Sequence, residues 1–265
     1  MRTRIISGAV ITAIVAALLF LPAAAVFVFA FAISILTAYE LFRCIKAETD
    51  LIGFAGYAAI LIYYLCMLSG KVSMLAAVAI CFILIMAVYV FTYPKYKINK
   101  VSFIIFGFIY TGVLVSFLYC IRQLPYGQYF MPLVFIGAWV NDVGAYFVGV
   151  KFGKHHFAPV LSPHKSLEGL FGGLAFSALV GALYGFIVNI INKDFGTHVL
   201  LFAGISLVSA AVSVLGDLSA SAIKRDRGLK DYGNIIPGHG GILDRCDSLF
   251  YAAPVVYLMI TLLWK

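Results

Sequence analysis

Apolar segments long enough to cross a membrane recur along this chain and constrain its fold more than any other feature. A helix needs about 20 mostly apolar residues to span a bilayer. Such segments lie at 5–20, 22–42, 51–69, 72–92, 101–121, 130–150, 168–192, 198–222 and 245–263. A mean hydropathy of +1.04 excludes an ordinary soluble domain. The sequence therefore predicts an all-α, polytopic integral membrane protein with about nine transmembrane helices, or eight if one bent helix covers 5–42.

The positive charges lie mostly on one side of this predicted topology. With nine spans and a cytosolic N-terminus, 15 of the 19 Lys and Arg residues fall on the cytosolic face. Loops rich in Lys and Arg remain in the cytosol. We therefore expect a multi-pass protein of the cell membrane with a cytosolic N-terminus. The same distribution explains the net charge of +8 without nucleic acid as a partner.

The two halves of the chain differ in polarity. Residues 1–129 have short connections and few internal polar groups, which predicts a scaffold of about five helices and a candidate homodimer interface. Glu40, the only acid inside a span of this half, is interpreted as an interfacial carboxylate that reaches water beside Arg43, with a functional role as the alternative. Residues 130–265, with about four helices, are the predicted catalytic region.

Two sequence patterns bear on packing and cytosolic chemistry in the second half. Small residues recur at every fourth position of the seventh segment, at Gly169, Gly173, Ser177, Gly181 and Gly185. Such a face lets a neighbouring helix approach closely. The predicted cytosolic loops 151–167 and 223–244 are longer than those of the first half and rich in Gly, His and Lys. The five cysteines have no CxxC spacing, so neither a disulfide framework nor a zinc site is expected.

Three aspartates around the last cytosolic loop are candidate ligands of a divalent cation. Asp244 and Asp247 are three residues apart, so a helix places them on one face, and a hairpin would bring Asp217 opposite them. Converging carboxylates, phosphates and water form typical Mg²⁺ sites. The alternative is ion pairing, with Asp217 bonded to Lys224 or Arg245 and Asp247 to Arg225.

The same loop contains residues suited to phosphate. Its Pro237–Gly241 segment reads PGHGG, and glycines permit positive φ and close approach of backbone N–H groups to phosphate oxygens. His239 is expected to bond a phosphate or orient a ligand, and a role as general base ranks below these. Basic side chains flank the segment at Lys224, Arg225, Lys230 and Arg245, with Asp231 beside them.

A second polar cluster precedes the seventh segment, in the sequence SPHKSLEG from Ser162 to Gly169. Ser166 can cap that helix, whose free N–H groups attract an anion, and Lys165 adds a mobile charge. Glu168 either belongs to the site or only complements the helix dipole. His155, His156 and His164 lack a fourth zinc ligand.

Asn141 and Asp142 form a third polar position, inside the sixth segment. An aspartate within the membrane indicates function by default. Lys165 or the metal cluster are its expected partners, and a buried, hydrogen-bonded structural pair is the alternative.

The run from Ser221 to Asp247 resembles the signature of the phosphatidate cytidylyltransferases, which reads S-x-aliphatic-K-R, four residues, K-D, a spacer to H-G-G, and D-R-x-D. Its fixed places are filled by Ser221, Ile223, Lys224, Arg225, Lys230, Asp231, Gly233, Pro237, His239, Gly240, Gly241, Asp244, Arg245 and Asp247. The family's S-P-x-K-[ST]-x-E-G element matches Ser162–Gly169, and its N-D-x-x-A-Y element matches Asn141–Tyr146. Two positions depart from the usual pattern, His164 in place of Lys and Cys246 in place of an aliphatic or aromatic residue or Thr.

The resemblance implies a reaction of CTP with phosphatidate that gives CDP-diacylglycerol and pyrophosphate at the cytosolic face of the bilayer. It implies Mg²⁺ on Asp217 and Asp244, with Asp247 as a further candidate, and leaves a second metal or a monovalent cation open. The expected catalytic residues are Asp217, Lys224, Arg225, Lys230, Asp231, His239, Asp244, Arg245 and Asp247. The expected substrate-binding residues are Asn141, Asp142, Ser162, Lys165, Ser166, Glu168, Ser221, Gly240 and Gly241.

Two alternative functions remain. One is a related CTP-dependent lipid enzyme, either a polyprenol or phytol kinase or a CDP-archaeol synthase, which differs in its lipid acceptor. The other is an ion-coupled transporter that uses Asp142 and Asp217 as coupling acids, which leaves the Gly-rich loop and its basic flank unexplained.

Overall fold

A computed structural model describes residues 8, 13, 15–192, 198–238 and 240–264, and its long elements are helices. Eight of them are long and apolar enough to cross a membrane. They are α1 (Ala23–Arg43), α2 (Leu51–Ser69), α3 (Met74–Phe91), α4 (Ile98–Gln123), α5 (Gly127–Phe152), α6 (Leu167–Ile191), α7 (Val199–Asp226) and α8 (Leu243–Leu263). Within the described residues, β pairing is limited to two isolated bridges. The predicted all-α, multi-pass architecture is confirmed.

The number of spans depends on the N-terminal segment. Most of the predicted span at 5–20 lies outside the described residues, so the count of nine stays a prediction. Helical residues end at Phe20 and α1 begins after Pro22, which is where the sequence predicted the first two segments to divide. At the other end of the chain, α7 continues beyond the predicted boundary at 222, and Lys224 and Arg225 therefore lie in its last turn.

The chain divides into two compact units. The first consists of Met1–Tyr119 with Asp231–Arg245, and the second of Cys120–Lys230 with Cys246–Lys265. The segment Asp231–Arg245 thus belongs with the N-terminal helices. The functional division into a scaffold at 1–129 and a catalytic region at 130–265 stays a prediction.

The first unit combines an apolar exterior with a few polar contacts inside. Helix α3 buries only Ala77, Cys81 and Ile85, which recur at every fourth residue and form one narrow stripe. The rest of its surface is available to lipid. Inside the unit, the hydroxyls of Ser34 and Tyr64 lie 2.8 Å apart. Such hydrogen bonds help join helices where lipid removes the hydrophobic drive between them.

The second unit is organised around α6. The predicted small-residue face is confirmed, since Gly169, Gly173, Ser177, Gly181 and Gly185 are all buried. A Cβ atom on Gly173 would lie 2.6 Å from Oδ1 of Asn141 in α5. A Cβ atom on Gly181 would lie 2.2 Å from Oγ of Ser206 in α7. Because these positions carry no larger side chain, α6 packs directly against both neighbours.

A π-helical segment, Ile136–Val140, interrupts α5 immediately before Asn141. Serines of the neighbouring helices satisfy carbonyl groups in this segment. The hydroxyl of Ser177 donates to the Ile136 carbonyl oxygen at 3.2 Å, and that of Ser213 to the Gly137 carbonyl oxygen at 3.0 Å. Segments of this kind are frequent at functional sites because they redirect the side chains that follow them.

Candidate functional site

The second unit contains a cavity of about 290 Å³ between α5, α6 and α7. Its lining residues are Asn141, Asp142, Ala145, Tyr146, Phe157, His164, Lys165, Ser166, Gly169, Leu170, Val214 and Asp217. Five of them were predicted from the sequence as site residues: Asn141, Asp142, Lys165, Ser166 and Asp217. Three motifs that lie far apart in the sequence therefore meet around one space.

An ion pair between Lys165 and Asp217 lies at this cavity. The two side chains keep 25% and 32% of their surface exposed, so both are reachable by a ligand from the cavity. The ion-pair alternative considered for Asp217 had Lys224 or Arg245 as the partner. In the structure the basic side chain comes instead from the loop before α6.

Asn141 and Asp247 are buried polar residues with unsatisfied atoms. Asn141 is 1% exposed and Asp247 5%. Oδ1 of Asp247 accepts the Ser248 N–H at 2.7 Å. Its Oδ2 atom, and both Oδ1 and Nδ2 of Asn141, have no hydrogen-bond partner in the described part of the chain. Buried polar groups in native proteins are normally paired, so these atoms point to a bound ligand or ion.

Two further carboxylates and one ammonium group lie near Asp247. The charges of Asp217, Lys224 and Asp142 are close enough to act on it. Among the described residues, no three His, Cys, Asp or Glu side chains already form a metal site. Mg²⁺ often binds through only one or two carboxylates, with waters and substrate phosphates as its other ligands. The unsatisfied oxygens of Asp247 and Asn141 fit such an ion.

The start of α6 is held by two side chains. Oγ of Ser166 accepts the Gly169 N–H at 3.1 Å, which confirms Ser166 as the helix cap. The Glu168 carboxylate accepts the N–H groups of Lys154 and His155 at 3.1 and 3.2 Å and contacts the His155 ring. Glu168 therefore fixes the preceding loop to α6, and its role in substrate binding stays a prediction.

The rest of that loop is held by main-chain contacts. The Ser162 N–H donates to the Ala158 carbonyl at 2.8 Å, and the Ser162 carbonyl accepts the Lys165 N–H at 3.2 Å. His156 forms an isolated bridge with Ser166. These bonds set the position of Lys165 relative to α6.

The basic residues that follow Asp217 differ in exposure. Ser221 and Lys224 are half-buried on α7, whereas Arg225 and Lys230 are exposed. The Leu229 N–H donates to the Lys224 carbonyl at 2.7 Å, and Gly228 at φ +66° completes the turn that ends the helix. The two exposed side chains are available to anionic groups that arrive from water.

The glycine-rich segment belongs to the first unit and forms a tight turn. The Ile236 N–H donates to the Gly240 carbonyl at 3.0 Å. Gly238 and Gly240 have φ of 78° and 87°, and so use the positive φ that glycine permits. His239, between them, lies outside the described residues.

Asp244 holds the ends of this segment together. Its Oδ2 atom accepts the Tyr232 N–H at 2.8 Å and the Gly241 N–H at 3.1 Å. Asp231 and Arg245, at the two limits of the segment, are exposed. Asp244 thus has a structural contact in the first unit, and its role as a metal ligand stays a prediction.

Glu40 corrects one interpretation of the sequence. It does not reach water beside Arg43, because it is 0% exposed. Its Oε1 accepts the Ile242 N–H at 3.0 Å and its Oε2 the Leu243 N–H at 2.7 Å. The interfacial interpretation was therefore wrong. The sequence did offer a signal that Glu40 is more than an interfacial group, because it is an acid inside an otherwise apolar span.

Comparison with known proteins adds to this geometry. The sequence model of the cytidylyltransferase family matches residues 2–263. The chain belongs to this family. A phosphatidate cytidylyltransferase of Staphylococcus haemolyticus (strain JCSC1435) is 30% identical over 260 residues, which cover 94% of this chain and 97% of the relative. That of Staphylococcus aureus (strain COL) is 36% identical over 166 residues, which cover 63% and 61%. The resemblance in the Ser221–Asp247 signature is thus part of a relationship that extends along the chain.

Proposed function

We propose that this cytidylyltransferase-family protein transfers the cytidylyl group of CTP to phosphatidate and releases CDP-diacylglycerol and pyrophosphate. The observation that carries the proposal is the cavity where Lys165, Asp217 and Asn141 meet. It combines a cation for phosphate with unsatisfied oxygen and amide groups. The full-length similarity to a phosphatidate cytidylyltransferase supports the choice of reaction.

The chemistry is an in-line displacement at phosphorus. A phosphate oxygen of phosphatidate attacks the α-phosphorus of CTP, the bond from that phosphorus to the bridging β-phosphate oxygen breaks, and pyrophosphate leaves. A phosphomonoester is already anionic near pH 7, so no strong base is required. Catalysis then consists mainly of positioning and charge neutralisation. The second unit offers Lys165, Lys224, Arg225 and Lys230 as candidate cations for these tasks.

Asp217, Asp247 and Asn141 would hold Mg²⁺ in the second unit, and the metal-binding role that the family signature gives to Asp244 stays a prediction. When bound, the ion neutralises negative charge on the leaving pyrophosphate. The unsatisfied Oδ2 of Asp247 is the observation that favours this assignment. Asp217 then has two partners, since its carboxylate also contacts Lys165.

The substrates determine the expected location of the site. Phosphatidate keeps its acyl chains in the bilayer and presents its phosphate at the surface, and CTP arrives from the cytosol. The excess of Lys and Arg on one side of the topology supports a cytosolic N-terminus and a cytosolic site in the cell membrane. A homodimer formed through residues 1–129 remains a separate prediction.

The test follows label from CTP into lipid. Detergent-purified protein is incubated with phosphatidate, Mg²⁺ and CTP labelled at the α-phosphate, and the lipid phase is counted. Wild type should transfer label, and Asp217→Asn and wild type with EDTA should not. Asp226→Asn is the matched control on the same helix, because its side chain is 73% exposed and pairs with Arg227. If wild type transferred no α-label to phosphatidate but transferred label from CTP labelled at the γ-phosphate to a polyprenol or phytol acceptor, a kinase reaction would replace the proposed one.

A further inference from the structure

Glu40 makes contacts that the proposed chemistry does not use. Its carboxylate is fully buried and bonds to the N–H groups of Ile242 and Leu243, about 200 residues later in the chain. The first N–H groups of a helix have no partner within the helix. Glu40 supplies that partner at the start of α8 from a different helix, α1. Charge-assisted hydrogen bonds of this kind are about twice as strong as neutral ones.

Two glycines of the signature segment make room for this carboxylate. A Cβ atom on Gly233 would lie 2.5 Å from Oε1 of Glu40, and one on Gly241 would lie 2.7 Å from both carboxylate oxygens. Real Cβ atoms do not approach this closely. The segment therefore encloses Glu40 on two sides, and any larger residue at either position would displace it.

The contacts of Glu40 and Asp244 are adjacent along the backbone. The Gly241 N–H donates to Asp244, and the next N–H along the chain, that of Ile242, donates to Glu40. A movement of the peptide between these residues would change both bonds. The side chain of Asp244 is thus placed by a backbone that Glu40 holds.

We infer that Glu40 is a positioning residue for the reaction, which acts by fixing the segment Asp231–Arg245 and with it the carboxylate of Asp244. The inference rests on the proposed function and deepens it, because it assigns a role to a residue outside the Ser221–Asp247 signature. Glu40 touches no reacting atom in this assignment. Through its hydrogen bonds, Glu40 sets the positions of the candidate phosphate- and metal-binding residues within the segment.

Glu40→Gln is the direct test. The amide keeps the size of the side chain and one acceptor oxygen, but it places an NH₂ group against a backbone N–H donor. Loss of a partner that orients a ligand residue typically costs about 10- to 100-fold in activity or metal affinity. We expect kcat in the labelled-CTP assay to fall by about that factor and the Mg²⁺ concentration for half-maximal rate to rise. Asp226→Asn, an acid-to-amide change at a side chain that is 73% exposed and pairs with Arg227, should leave both values unchanged.

Hydrogen exchange separates positioning from general stability. In Glu40→Gln, amide exchange should accelerate within 231–245 and stay unchanged in α2. Wild-type kinetics together with wild-type exchange in this variant would overturn the inference, as would faster exchange along the whole chain. If Glu40→Gln does not fold, Glu40→Asp is used instead, because it keeps the carboxylate charge but has a shorter side chain. The same changes in kcat and in amide exchange are expected for it, and the same results would overturn the inference.

The pair of Glu40 and Gly233 gives an independent test by double mutation. Gly233→Ala clashes with the Glu40 carboxylate, so Gly233→Ala combined with Glu40→Ala should lose less activity than the two single effects multiplied together. Multiplicative effects would contradict the contact. Failure of wild type to label phosphatidate would instead refute the proposed reaction, while the exchange experiment would still decide whether Glu40 holds the segment.

Discussion

The packing of α6 against α5 predicts that Gly173→Ala is destabilising although alanine is a better helix former than glycine. The added Cβ atom would lie 2.6 Å from Oδ1 and 2.7 Å from the main-chain oxygen of Asn141, and 3.0 Å from Cβ of Ala145. Ordinary van der Waals contact begins at 3.4 Å. The main-chain oxygen belongs to a helix and cannot turn away, so the helices must separate by about 0.7 Å at this point.

The size of the effect follows from this clash. Overpacking a well-packed interior typically costs about 1–3 kcal/mol. The gain in helix propensity from glycine to alanine is about 1 kcal/mol and offsets only part of that cost. The net loss is then up to about 2 kcal/mol, which for a chain of this size lowers the melting temperature by up to roughly 8 °C. Because Asn141 lines the cavity, transfer of label from CTP to phosphatidate should also fall.

The assay is thermal unfolding in detergent, followed by the fluorescence of Trp139 and Trp264. The control is Gly204→Ala in α7, where a Cβ atom would meet nothing within 4 Å. This variant should unfold at the wild-type temperature or above and keep its activity. A Gly173→Ala protein as stable and as active as Gly204→Ala would refute the reasoning about close packing.

Three further substitutions test individual contacts. Lys165→Met removes the cation paired with Asp217 and should lower the rate of transfer from labelled CTP by about 100-fold or more. Lys165→Arg, which keeps the charge, should recover part of that rate. A wild-type rate in Lys165→Met would show that Lys165 does not act in the site. Ser166→Ala removes the cap of α6 and should lower the free energy of unfolding by about 1 kcal/mol, and an unchanged value in denaturant titration would contradict that. Ser213→Ala removes the hydroxyl that donates to the Gly137 carbonyl and should lower the free energy of unfolding by about 1 kcal/mol. Ser219→Ala should lower it less, because the Ser219 hydroxyl bonds within its own helix and to Tyr251. Equal losses of unfolding free energy in the two variants would contradict a special role for the π-helical segment.

Features encoded by local pattern could be predicted from the sequence. The spans from α1 to α8 follow from apolar runs, and the close packing of α6 follows from small residues at every fourth position. Ser166 was identified as a cap because it precedes an apolar run. The positive φ of Gly238 and Gly240 is permitted by the absence of a side chain, as the sequence indicated for the glycines of this segment. Each of these depends on residues within a few positions of one another.

Features that depend on distant contacts could not be predicted in the same way. Lys165 and Asp217 are 52 residues apart, and several other basic residues were equally plausible partners for Asp217. Glu40 and Ile242 are 202 residues apart, and composition alone favoured an interfacial position for the acid. The π-helical segment before Asn141 has no local marker, since its extra residue depends on donors from α6 and α7.

Glu40 differs from Asn141 and Asp247 in whether the polar atoms of its buried side chain are satisfied. Glu40 has both carboxylate oxygens satisfied by backbone N–H groups, so its burial stabilises one arrangement of the chain. Asn141 and Asp247 are buried almost as completely but keep unsatisfied atoms in the described structure, at a cost of about 1–3 kcal/mol for each group. A bound molecule or ion at the site would offset that cost. The satisfied carboxylate is therefore assigned to positioning and the unsatisfied atoms to binding, and the two assignments predict different responses to ligand. CTP and Mg²⁺ should raise the melting temperature of wild type and, at higher Mg²⁺ concentrations, that of Glu40→Gln, but should raise it much less in Asp247→Asn at any concentration.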